Sequence, residues 1–345
     1  MEVDSRVYYS VENPDRSLQV YVMPIVNFIS TIVNVLLFYL IFKHSEKESS
    51  SYRKVIFLHS FSLYMAQLFW GSIINMVFLL PFPAVYSLGP LKNYINCFYL
   101  TSVWFALFAW SALMMFLILL VRLRTLARPD SVFSFTSSTY NSIIVFLVVY
   151  AFIPIFAAWI PGYSSDEKTR EYVFKYYPNC MKILEIPGIF VNTSQAAIVA
   201  VTIAAFGLLS SGAVFYILLC FIIVYEIRKQ SSSWSSKKRK YHIKVLQDAV
   251  VTNVVKCIFL AAAPATELWN IFLDPSRDTI MITMIANFIF VAAPIPCTIV
   301  MFVQNRAYRK FFAQKFGCGD LLSKQDMTRK SGIVTVHQKT AFSKN

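Results

Sequence analysis

Lys256 and Glu267 stand inside otherwise apolar sequence. They are eleven residues apart, close to three helical turns, so on a helix they share one face. An ionisable group inside an apolar span is costly and marks a functional position by default. Lys256, the deeper one, either snorkels on its long stem, pairs internally or takes a direct part in signalling; Glu267 lies nearer a rim where water can solvate it. Of the 4 histidines only His59 falls in an apolar stretch, and no pair of acids accompanies it. An intramembrane metalloenzyme needs clustered ligands, so that chemistry is disfavoured. The last apolar stretch has no lysine for a retinal Schiff base. No catalytic residue, metal or cofactor is expected.

The elements that position these groups are spans. Seven apolar stretches, residues 18–42, 55–80, 98–123, 140–160, 198–225, 245–269 and 279–303, are each about long enough to cross a bilayer. In lipid the backbone must satisfy its own hydrogen bonds, so they must be helices. The fold class is an all-α membrane protein, a seven-helix transmembrane bundle. Seven is odd, so the termini fall on opposite faces.

Basic residues decide which face is which, because Lys and Arg gather on the cytoplasmic side. The segments 43–54, 122–139, 226–244 and 304–345 carry 23 of the 32; the segments 1–17, 81–97, 161–197 and 270–278 carry 8. The N-terminus is therefore expected outside and the C-terminus in the cytosol. The net charge of +14 then serves topology and anionic lipid rather than nucleic acid. The start of the chain has no basic, short-cored signal peptide, so the first span acts as its own anchor. The organisation expected is an extracellular N-terminus 1–17, the bundle 18–303, a short amphipathic eighth helix over 304–316 and a disordered cytoplasmic tail over 317–345.

Of the 6 cysteines, Cys97 and Cys180 alone fall on the outer side, where disulfides persist. A bridge would pin the long loop before the fifth span over the bundle mouth; the alternative is two free thiols. Cys318 follows the amphipathic stretch and is a candidate for palmitoylation. Asn192 opens the N-x-S/T sequon Asn192-Thr193-Ser194, a possible glycosylation site.

Arg122 follows Cys97 by 25 residues, about 37 Å of helix, so one helix presents a cysteine at the outer rim and an arginine at the inner rim. With a second cysteine in the loop before the fifth span, Asn34 in the first span and Pro264 in the sixth, this resembles G-protein-coupled receptors. Leu120-Val121-Arg122 lacks the acid that rhodopsin-like receptors place beside the arginine, Ala262 replaces their tryptophan, and Pro294-Ile-Pro296 stands where they have Asn-Pro-x-x-Tyr. The ending TIVMFVQNRAYRKFF and the stretch FLLPFPAVYSLGPLK are similar to the nematode serpentine chemoreceptors, the Str superfamily and its class H and class I relatives.

The resemblance implies a chemosensory receptor of the sensory-neuron ciliary membrane, coupling a small ligand to a heterotrimeric G protein. Trp70, Asn75, Tyr99, Ser102, Trp104, Thr266, Glu267, Thr283 and Asn287 would line an outer cup, apolar with few polar anchors, as small-molecule sites are. Aromatics near helix ends also form the interfacial belt, and small polar residues join helices. At the inner end Arg122, Asp248, Tyr308 and Arg309 would face the G protein. Asp248 is the expected resting partner of Arg122, with Glu226 next. Asn34, Pro264 and Lys256 would hold the bundle. A seven-span transporter or a ligand-gated channel is the alternative, but no internal repeat is evident and an inverted channel contradicts the charge count.

Overall fold

Apolar runs of this length leave the backbone no partner but itself, and helices result. The computed structural model describes residues 16–44, 50–79, 82–230, 234–272 and 280–315. Helix α1 is Arg16–His44, α2 Ser50–Leu68, α3 Cys97–Leu126, α4 Ser137–Trp159, α5 Gln195–Lys229 and α6 Ser236–Phe272. Helix α7 is Ile280–Val291 continued by Pro294–Gln304, and α8 is Arg306–Lys315. Pro294 has no N–H to give the helix, and the chain turns once at Ala292 and Ala293 before resuming. Among the described residues five stretches are long and apolar enough to cross a membrane. Helix α2 does not qualify because Arg53, Lys54, His59 and Gln67 lower its apolarity.

α3 is the axis of the bundle. It packs against α2, α4, α5 and α6, while α1 closes the ring between α2 and α7. Asn34 ties that closure: it donates to the Ser30 carbonyl at 2.8 Å and accepts from Thr298 of α7 at 3.3 Å, fully buried. Such interhelical bonds contribute about 0.6 kcal/mol each.

The second apolar stretch does not stay helical to residue 80. Beyond Leu68 it widens into a π-helical turn, Phe69–Ile74, closed by Asn75 N–H on the Trp70 carbonyl at 2.7 Å. Asn75 then takes a left-handed conformation, φ 45°, which asparagine tolerates. The chain continues as β1, Met76–Phe78, antiparallel to β2, Ala84–Ser87, which pairs with β3, Phe190–Val191. After β2 the chain passes so close to the π-helical turn that a Cβ on Gly89 would lie 1.9 Å from the Ile73 carbonyl oxygen, so only glycine fits. With the short helix Asp166–Tyr176 and the 3-10 turn Pro178–Glu185, the sheet caps one end of the bundle around its own small core of Val77, Phe82, Tyr86, Val173, Cys180 and Ile183. This cap was not legible as strands in the sequence.

No disulfide joins Cys97 to Cys180. Cys97 is buried in the bundle core and Cys180 in the separate core of the cap. The loop is held to α3 by hydrogen bonds instead: Cys97 N–H donates to the Gly188 carbonyl at 2.7 Å, and Asn96 Nδ2 to the Ile189 carbonyl at 3.2 Å. Asn192 is 5% exposed, and its carboxamide sits where a Cβ on Gly162 would meet it at 2.6 Å. In this fold it is a packed residue.

Candidate functional site

At the cap end the bundle core is a cluster of aromatic rings rather than an open cup. The Trp70 ring centre lies 4.4 Å from that of Trp104 and 5.4 Å from that of Phe290; Phe108 stacks on Trp104 at 5.2 Å. The π-turn rotates Trp70 inward, and α3 brings Trp104 two turns below Cys97. Both indole Nε1–H groups are buried without a hydrogen-bond partner, and so is Asn287 Oδ1, one turn from Phe290 on α7. Buried polar atoms nearly always find partners, so this concentration in one core sets the region apart.

Other residues expected in the cup serve elsewhere. Asn75 pairs with Gln19 of α1, accepting from its Nε2 at 2.8 Å. Ser102 donates to the Phe98 carbonyl and accepts from the Trp159 indole at 3.0 Å, joining α3 to α4. Tyr99 is 52% exposed and turns away from the core, toward Phe98 and Tyr163. Thr283 is buried on α7 and Thr266 half-buried on α6. The side chains of Pro264 and Glu267, and Cys318 altogether, lie outside the described residues.

Midway along α3 a second polar feature appears. Lys256 is fully buried and donates through Nζ to the Ser111 carbonyl at 2.9 Å. It does not snorkel. His59 of α2 bonds to the backbone of Met114, one turn further along α3, and feels the Lys256 charge.

At the far end of α3 the expected pairing of Arg122 with Asp248 does not form. Among the described residues Arg122 makes no ion pair; its guanidinium lies over the rings of Tyr52 of α2, at 4.9 Å, and Tyr241 of α6, at 5.7 Å. Its Nε and Nη2 have no hydrogen-bond partner. Glu226 is taken by Arg128 at 3.4 Å and by the Ser131 hydroxyl at 2.6 Å. Asp248 instead feels Lys244 and Arg309. Tyr308, expected to face a partner, is 2% exposed and packs with Leu37, Leu40 and Ile41 of α1, so it anchors α8. His242 beside this site is held down to about 4, by burial first and then by the charges of Arg122 and Lys238. It is neutral at cytosolic pH, its ring 4.8 Å from that of Trp234.

An arginine ending the central helix of a seven-helix bundle, beneath a capped aromatic core, is a receptor's layout. The model of one family, the serpentine type 7TM GPCR chemoreceptor Srh, matches residues 15–318. The chain belongs to this family. It is an integral membrane chemoreceptor with the seven-helix fold of G-protein-coupled receptors. Squid rhodopsin, in its crystal structure, aligns with 88% of this chain and 86% of its own at 15% identity and a TM-score of 0.48. No curated protein matches. In the receptor, the residues that sequence reasoning missed are Tyr52 and Tyr241, ordinary interfacial tyrosines in the sequence. Only the packing of α2 and α6 against α3 brings them to Arg122.

Proposed function

We propose that the receptor binds a small organic ligand at the capped aromatic core and passes the event along α3 to a heterotrimeric G protein at the Arg122 end. The cap then faces outside and α8 the cytosol, in keeping with the basic segments at the Arg122 end; the sensory-neuron ciliary membrane is the proposed site of action. The observation that carries the reading is the pair of buried, unpartnered indole N–H groups of Trp70 and Trp104 in an otherwise apolar core. An unsatisfied buried polar group costs about 1–3 kcal/mol. A ligand with an acceptor such as a carbonyl or ether recovers part of that, while its apolar body replaces ring-to-ring contact. It shifts the bundle only by binding one state better than the other. The guanidinium of Arg122, held by rings rather than by a carboxylate, is released when α6 and its Tyr241 move.

The test is expression in cells with a panel of small volatile and water-soluble compounds, read by calcium or cyclic nucleotide. Trp70→Phe and Trp104→Phe keep a ring and delete the N–H. At matched surface expression an active compound should lose about tenfold in potency, the worth of one hydrogen bond. Unchanged potency in both variants would overturn the reading.

A further inference from the structure

Lys256 is buried to 0% exposure at mid-bundle, and among the described residues no carboxylate pairs with it. Among the described residues both ion pairs belong to Arg128. Along α6 the nearest acids are Asp248, eight residues toward one end, and Glu267, eleven toward the other. These are displacements of about 12 and 16 Å, beyond contact. One bond to the neutral Ser111 carbonyl uses one of three ammonium protons. A buried cation is stable only when paired and fully hydrogen-bonded.

The surroundings are polar in the way an anion needs. The Ser111 hydroxyl is buried and has no partner, on the residue whose carbonyl holds Lys256. His59, buried on α2, spends its ring N–H on the backbone of Met114, so its unpartnered Nδ1 is a lone pair that donates nothing to an anion. Helices α6 and α3 thus bring one uncompensated positive charge and one orphan hydroxyl together. Ser111 is fourteen residues below Cys97, about 21 Å, and so beneath the aromatic core.

From this geometry we infer that Lys256 and the Ser111 hydroxyl form a binding site for one small inorganic anion of the chloride class. The anion neutralises Lys256 and accepts from the Ser111 O–H. It holds α6 against α3, because its ligands come from both.

The full-length receptor, purified in lipid nanodiscs of neutral phosphatidylcholine, is unfolded by heat in sodium chloride and in sodium gluconate at equal ionic strength. Chloride and bromide should raise the midpoint by several degrees, saturably, and gluconate should not. Lys256→Met should abolish the difference between salts. Ser111→Ala, which keeps the carbonyl and perturbs the fold least, should raise the half-saturating chloride concentration about tenfold. Cys297→Ala should leave the halide effect intact. Equal midpoints for the parent receptor in chloride and gluconate overturn the inference. So does a halide effect of full size in Lys256→Met or unshifted in Ser111→Ala, and so does its loss in Cys297→Ala, which would make that sulfur the counter-charge.

Discussion

The guanidinium carbon of Arg122 stands 4.9 Å from the centre of the Tyr52 ring, and among the described residues no carboxylate reaches it. Two tyrosines on neighbouring helices do the work that an ion pair was expected to do. A ring face attracts a cation with about 0.5–2 kcal/mol, depending on desolvation. It leaves the N–H groups unsatisfied and available.

Loosening that clamp should therefore activate the receptor. Tyr52→Leu is expected to raise basal signalling severalfold at matched surface expression, and Asp248→Ala to leave it unchanged. Reporter assays without ligand measure both. The reverse pattern would restore the carboxylate as the partner.

Glu226 is buried at 0% exposure and holds Arg128 and the Ser131 hydroxyl, so it fixes the segment after α3 against α5. Removing one member of a fully buried pair costs about 3–5 kcal/mol. Arg128 is partly exposed and keeps Asp130 at 3.1 Å, so Glu226→Gln should cost less, about 2 kcal/mol. Thermal unfolding in detergent should show a clear drop, with Asp130→Asn close to the parent.

His242 gives the cytosolic end a pH dependence. Its folded value is about 4 and its unfolded value about 6.5. The unfolded ring takes a proton first, so this contribution to stability is complete above pH 6.5. It is lost as pH falls toward 4. Unfolding midpoints at pH 7.5 and 5 should differ, and His242→Gln should reduce the difference.

Two hydrogen bonds, Cys97 N–H to the Gly188 carbonyl and Asn96 Nδ2 to the Ile189 carbonyl, tie the cap to α3. Denaturing the receptor without reductant should expose both Cys97 and Cys180 to maleimide, seen by peptide mass spectrometry. Asn96 both caps α3, accepting from Phe98 N–H at 2.8 Å, and binds the Ile189 carbonyl. Asn96→Ala should therefore cost about 1–2 kcal/mol, and more surface expression than Cys180→Ser.

Length and apolarity alone determined the helical bundle, because an apolar run of about 20 residues in lipid has no other way to satisfy its backbone. The helix positions of Arg122, Lys256, Trp70 and Trp104 followed from spacing along single elements. Contacts between elements did not. The sequence puts Asp248 at the right level for Arg122, but the faces of α2 and α6 that turn toward α3 carry Tyr52 and Tyr241. It reads 55–80 as one span, yet the left-handed Asn75, held by Gln19 of α1, diverts the chain into the cap sheet. Tyr99 and Asn192 have the types a cup and a glycan require, and the packing of the cap turns one outward and buries the other. Local propensity and hydropathy act within a few turns. Which face meets which is decided by packing across residues far apart in the chain, and only the tertiary structure contains that.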